Sequence, residues 1–240
     1  MSRGFKIGVL AAAVMAVAPA AQAFEAGDFV VRGGAVHVAP DDSSESIRMS
    51  DGTPLLGAGT SSSVSVDSNT QLGLRATYMF TDSLGLGILA ATPFKHNISA
   101  EGDAAAAGLD KIGETKHLPP TITLQYYPMA SSSAVQPYAG IGVNYTTFFE
   151  ESMNSDFNTA KGFGSSDLEL DDSVGVAVEI GLDYMLSDNF GLNAAMWWAD
   201  IDTDAKVTAY DNNGNYAGET QTFEVEIDPM VYMVGMTYKF

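Results

Sequence analysis

Between Gln71 and Phe94 the chain alternates with a period of two. Leu72, Leu74, Ala76, Tyr78 and Phe80 share one face, and Gln71, Gly73, Arg75, Thr77 and Met79 the other. After Thr81-Asp82-Ser83 the alternation resumes, with Leu84, Leu86, Ile88 and Ala90 set against Gly85, Gly87, Leu89 and Ala91. Period two predicts strands, and the short polar break predicts an antiparallel hairpin. One face is apolar and ends in aromatics beside the turn. The other is small, polar or charged. A soluble sandwich would bury the apolar face under a second sheet, whereas a membrane barrel would turn it to lipid.

The same pattern recurs along the chain. Further strands are expected at about Asp28–Val38, Leu118–Tyr127, Gln136–Phe149, Ser173–Leu186 and Phe190–Asp200, and in a last strand ending at Phe240. The connections are alternately short (Thr81–Ser83, Pro128–Val135, Ser187–Asn189) and long (Ala39–Asp67, His96–Lys116, Glu150–Asp172, Thr203–Thr222). The long ones are rich in Ser, Gly and Asp and predict polar loops, with a possible short helix at Ala104–Ala107. Short turns therefore gather at one end with both termini, which requires an even strand count. Each strand is long enough to cross a bilayer at a tilt. The small face carries Arg32, Arg75, Glu179, Asp183 and Lys239, charges that lipid would exclude but a lumen lets pair. The expected fold is all-β: an eight-stranded antiparallel transmembrane β-barrel with short periplasmic turns and long extracellular loops. A soluble periplasmic sandwich would have to bury the valines of the sixth strand and expose its small face.

The N-terminus changes the picture. Arg3 and Lys6 precede an apolar run from Ile7 to Ala18, and Ala21-Gln22-Ala23 supplies small residues at a cleavage position. Residues 1–23 are thus expected to be a cleaved signal peptide, leaving 24–240 as the barrel. No later apolar run approaches the length of a membrane-spanning helix. The chain has no cysteine, so no disulfide holds the exported protein together. Its formal net charge is -19, and loss of Arg3 and Lys6 takes it to about -21, which argues against a nucleic-acid partner.

Several stretches resemble the OmpW family of small outer-membrane barrels: N-T-Q-L-G-L (Asn69 to Leu74), L-A-A-T-P-F (Leu89 to Phe94), H-L-P-P-T (His117 to Thr121), Q-P-Y-A-G-I-G-V-N-Y-T-T-F-F (Gln136 to Phe149), A-D-I-D-T (Ala199 to Thr203) and the terminal Y-K-F. The first loop is longer and richer in serine than the family pattern. The resemblance implies a bacterial outer-membrane location and a narrow, partly hydrophobic channel for uptake of a small hydrophobic solute. In the family comparison Leu89 and Trp197, inward and apolar, fall on positions associated with the hydrophobic constriction. Phe240, with Tyr238 on the same face, resembles the ending read by the barrel assembly machinery.

The remaining candidates are weaker. Inward glycines such as Gly73, Gly87, Gly140 and Gly181 either leave room for a ligand or relieve crowding in a tightly bent wall. His37, His96 and His117 fall near strand ends at a spacing that fits no metal motif, and no catalytic signature accompanies them. Asp211-Asn212-Asn213-Gly214-Asn215 starts like a calcium loop but has Thr222 where the bidentate Glu belongs, so a turn is expected. Loop carboxylates are expected to stay hydrated or to meet divalent cations that bridge lipopolysaccharide among the surrounding outer-membrane lipids. No cofactor or metal is expected. Pro93, Pro119 and Pro120 cluster where the third and fourth strands should meet, and proline cannot donate to a ladder. They either mark a lateral exit into the membrane or merely end the ladder. Two other functional classes stand beside the channel: a structural or receptor barrel acting through its loops, and a lipid-modifying barrel enzyme.

Overall fold

The computed structural model describes residues 23–55, 63–101, 105 and 110–240. The expected signal peptide, apart from Ala23, and the expected helix at 104–107, apart from Ala105, lie outside these described residues. In chain order the strands are β1 (Phe29–Ala39), β2 (Ser43–Ser44), β3 (Val64–Val66), β4 (Asn69–Met79), β5 (Leu84–Ala91), β6 (Phe94–Ala100), β7 (Lys111–Leu118), β8 (Thr121–Tyr126), β9 (Val135–Met153), β10 (Ser165–Leu170), β11 (Ser173–Met185), β12 (Phe190–Ala199), β13 (Asp202–Tyr210), β14 (Tyr216–Glu219), β15 (Phe223–Glu226) and β16 (Met230–Lys239). One helix, α1 (Ser155–Lys161), is described.

Eight of these strands close into a barrel in the order β1, β4, β5, β8, β9, β11, β12, β16, every pair antiparallel. The hoop is sealed where β1 meets β16, from Val30 opposite Lys239 to Ala39 opposite Met230. The direction of the faces separates lipid from a second sheet. Leu72, Val174 and Val234 point outward and are 69%, 70% and 64% exposed, whereas the Arg32 side chain is fully buried inside. Only a closed barrel satisfies every wall N–H and C=O while offering such a surface to lipid. At the short-turn end Phe29 lies opposite Tyr78, and Phe190 opposite Tyr238, forming part of an aromatic row.

The final strand is fastened at that row. The Phe240 N–H donates to the Phe29 carbonyl at 2.9 Å, and its exposed ring packs edge-on against Tyr238 at 4.7 Å. Deleting Phe240 removes both contacts at the joint that closes the hoop. The expected result is a smaller heat-modifiable, folded fraction in isolated outer membranes. Normal accumulation of the truncated protein would contradict it.

The long connections are not structureless loops. The 19-residue β9 runs beyond the wall and pairs there with β7, which carries β6 and β3. A second sheet of β10, β13, β15 and β2, with β14 on β13, faces it. Together they form a crown above the barrel. The alternation is present in the sequence: Thr203, Ala205, Val207 and Ala209 are all buried. It is masked by the small and polar residues between them, which is why composition pointed to loops. Helix α1 is short but properly ended: Asn154 Oδ1 accepts from the Asp156 N–H at 3.0 Å, and Gly162 adopts φ 75°. The strand expected at Leu118–Tyr127 is β8, which starts only after Pro119 and Pro120, while Leu118 is the last residue of β7. Asp211–Asn215 is a turn in which Asp211 Oδ1 accepts from the N–H groups of Asn213 and Asn215.

Candidate functional site

The lower half of the lumen is filled by a polar plug. Arg32 on β1 reaches Asp183 on β11 through Nη2 at 2.7 Å and Nε at 3.0 Å. Its Nη1 donates to Thr77 at 2.8 Å and its Nη2 to the Tyr127 hydroxyl at 3.1 Å. Arg75 on β4 donates to both oxygens of Glu179, each at 2.7 Å, and to the Tyr138 hydroxyl at 2.7 Å. Thr123 and Thr237 donate as well, to Glu179 Oε1 and Asp183 Oδ1. The Tyr138 ring lies between the two guanidiniums, 5.3 Å from Arg32 and 4.9 Å from Arg75. All these side chains are buried, and the pairs join strands on opposite walls, so the route toward the periplasm is occupied.

The glycines belong to this plug. A Cβ on Gly181 would lie 2.2 Å from the Tyr138 ring, and one on Gly140 would lie 2.5 Å from Glu179 Oε1. Their missing side chains admit the plug residues, so here the space that the inward glycines leave is already filled.

Trp197 covers the plug. Its ring, only 2% exposed, lies 5.2 Å from the Arg75 guanidinium. Leu89 stands opposite Arg75 in the ladder between β4 and β5. Above them lies a narrow apolar chamber of about 20 Å³, lined by Val36, Leu89, Ala91, Phe94, Trp197 and Val231 among others. A second cavity, of about 50 Å³, lies in the crown, and His117 borders both. Leu89 and Trp197 are therefore on the floor of an apolar space, at its boundary with the charged plug.

The wall is interrupted beside that chamber. The ladder between β5 and β8 ends at Leu89 opposite Thr121. Pairing resumes between β6 and β7 at Phe94 opposite His117, one residue out of register. Among the described residues no ladder pair joins 90–93 to 118–120. Pro93, Pro119 and Pro120 all fall in this interval and have no N–H to give. The Pro119 carbonyl is turned to Thr121 Oγ1 and Asn144 Nδ2, at 3.1 and 3.2 Å. Ala91 and Pro119, both half-buried, line the chamber, while Pro93 and Pro120 are exposed on the outside.

The OmpW family model matches residues 25–240. The chain belongs to the OmpW family. Its similarity to Outer membrane protein W of Vibrio cholerae is 45% identity over 230 residues, covering 95% of this chain and 96% of that one. With Outer membrane protein W of Escherichia coli it shares 40% identity over 238 residues, covering 98% and 99%. The crystal structure of the outer membrane protein OprG from Pseudomonas aeruginosa superposes with a TM-score of 0.79 at 46% identity, covering 92% of this chain and 99% of that one. The protein is thus an OmpW-family barrel of the bacterial outer membrane.

Two features of this OmpW-family barrel escaped the sequence reading. His96 and His117 come together in the crown, their rings stacked 4.7 Å apart at 9°, while His37 lies apart and meets Thr70 at 2.8 Å. The signal is the alternation Phe94-His96-Ile98-Ala100, masked by the polar Lys95, Asn97 and Ser99 between them. Burial, and then the neighbouring His96, pushes His117 down to about 3, and burial also lowers His96, so both rings are neutral at physiological pH. The second feature is an acidic trio, Asp200, Asp202 and Asp228, with carboxylate oxygens within 4.8 Å of one another. Burial and those like-charged neighbours raise Asp202 above the usual carboxylate range. This trio is the described group closest to a metal-ligand arrangement; none of the three lines the chamber, although their chain neighbours Ala199, Ile201 and Pro229 do.

Proposed function

We propose that this barrel takes small apolar molecules in through the crown, passes them to the chamber above Trp197, and releases them sideways into the outer membrane. The observation that carries the reading is the interruption between Ala90–Pro93 and Leu118–Pro120, placed beside an apolar chamber whose floor is a charged plug. A hydrophobic solute loses about 25 cal/mol per Å² of apolar surface returned to water. Passing the plug would also require breaking two buried ion pairs. Lipid beyond the seam asks for neither.

A cross-link tests the exit. Continuing the β5–β8 register past Leu89 and Thr121 puts Ala91 opposite Pro119. Cysteines at these two positions would be the only ones in the chain, and a disulfide between them forms only where the seam closes to a Cα separation of roughly 4.4–6.8 Å. The oxidised Ala91→Cys/Pro119→Cys protein is expected to remain heat-modifiable and to lose uptake of an apolar solute, with uptake restored by a reductant. Full uptake through a verified cross-link would place the exit elsewhere. No uptake by the unmodified, folded barrel would leave the crown as a receptor surface, the competing class.

A further inference from the structure

His96 and His117 have no task in the passage so far described, yet their surroundings are specific. The pair is packed between Phe94 and Phe148, with the His117 ring 5.5 Å from the first and 6.0 Å from the second. His96 is 0% exposed and His117 5%. Both rings border the crown cavity, and His117 also borders the chamber below. Neither Nε2 has a hydrogen-bond partner among the described residues. Buried polar atoms are normally paired, so two unpaired nitrogens on rings that border one cavity call for an explanation.

The protonation of His96 follows from its other nitrogen. Nδ1 lies against the Asp67 carbonyl, which can only accept, so Nδ1 carries the proton. In the neutral ring Nε2 then presents a lone pair and needs a donor. His117 Nε2 is either donor or acceptor according to tautomer. A hydroxyl suits both cases, since it gives one hydrogen bond and accepts others.

We propose that the His96–His117 pair is a binding station for uncharged apolar molecules bearing a single hydroxyl, alkanols or phenols, on the way from the crown cavity to the chamber. This rests on the uptake reading above and names the solute class within it. An alkane offers the two nitrogens nothing. A carboxylate would set lone pairs against the His96 lone pair and bring a charge into an apolar space, which is disfavoured. Burial keeps both rings neutral, so the station holds its lone pair across the physiological range.

The direct test is ¹⁵N NMR of the histidine side chains in the mature protein reconstituted in lipid nanodiscs, with 1-octanol, n-octane and octanoate added in turn. The expected result is a shift of the His96 and His117 Nε2 resonances with 1-octanol, and none with n-octane or octanoate. No shift at saturating 1-octanol, or the same shift with n-octane, overturns the proposal. A second arm uses His96→Phe/His117→Phe, which keeps a stacked aromatic pair and removes the nitrogens. The ratio of 1-octanol to n-octane uptake by cells is expected to fall about fivefold, the worth of one net hydrogen bond. An unchanged ratio in a heat-modifiable variant overturns the station. If neither solute enters through the wild-type barrel, the uptake reading fails, and the nitrogen shifts still decide whether the station exists. They also decide it if the double variant does not fold.

Discussion

Arg32→Met is expected to cost the barrel about 3–5 kcal/mol, because it leaves the Asp183 carboxylate buried and unpaired. That carboxylate would retain only Thr237 at 2.6 Å and Asn193 at 3.0 Å. The measurement is a urea titration of the protein refolded in lipid vesicles, with the midpoint and slope compared with wild type. The paired variant Arg32→Met/Asp183→Leu removes both charges and is expected to recover most of the loss, since an apolar pair of similar volume often matches a buried ion pair. A single variant within about 0.5 kcal/mol of wild type, the range of an ordinary surface change, would show that the plug does not hold the barrel.

Trp197→Ala has a comparable expected cost, about 3–5 kcal/mol for truncating a buried aromatic. It also separates two roles of the ring. Trp197 shields Arg75 from the chamber and narrows the chamber beside Leu89. Its removal is expected to raise uptake of an apolar solute while leaving ion conductance low, because the Arg75–Glu179 pair still blocks the way below. Lower stability with unchanged uptake would reduce Trp197 to a cover for the plug. Raised ion conductance would mean that the ring, rather than the ion pairs, seals the lumen.

Much of this was legible from alternation alone. The eight wall strands follow from period two, because a wall with lipid outside and a lumen inside forces a change of polarity at every residue. The charges on the inner face announced a lumen as well, since Arg32, Arg75, Glu179 and Asp183 had nowhere else to pair. The pairing itself could not be read, because Arg32 finds Asp183 across the barrel only after register and tilt are set. The crown was missed for a different reason. Its strands bury small residues such as Ala205 and Ala209, whose alternation with polar neighbours differs little from a loop composition. The histidine stack depended on that missed hairpin. The prolines, by contrast, were informative on their own: a residue without an N–H has the same meaning in any ladder, and the interruption falls where they cluster.

The plug also carries information about time. Arg32 and Asp183 are 151 residues apart in the chain, and Arg75 and Glu179 are 104 apart. Neither pair can form before β11, the sixth of the eight wall strands in chain order, is in place. Contacts of such long range are late events in folding. Interactions absent from the transition state act on the rate of unfolding and leave the rate of folding nearly untouched. The two ion pairs thus work as a latch: the barrel closes at the pace its hairpins allow, and the latch then sets how long it stays shut.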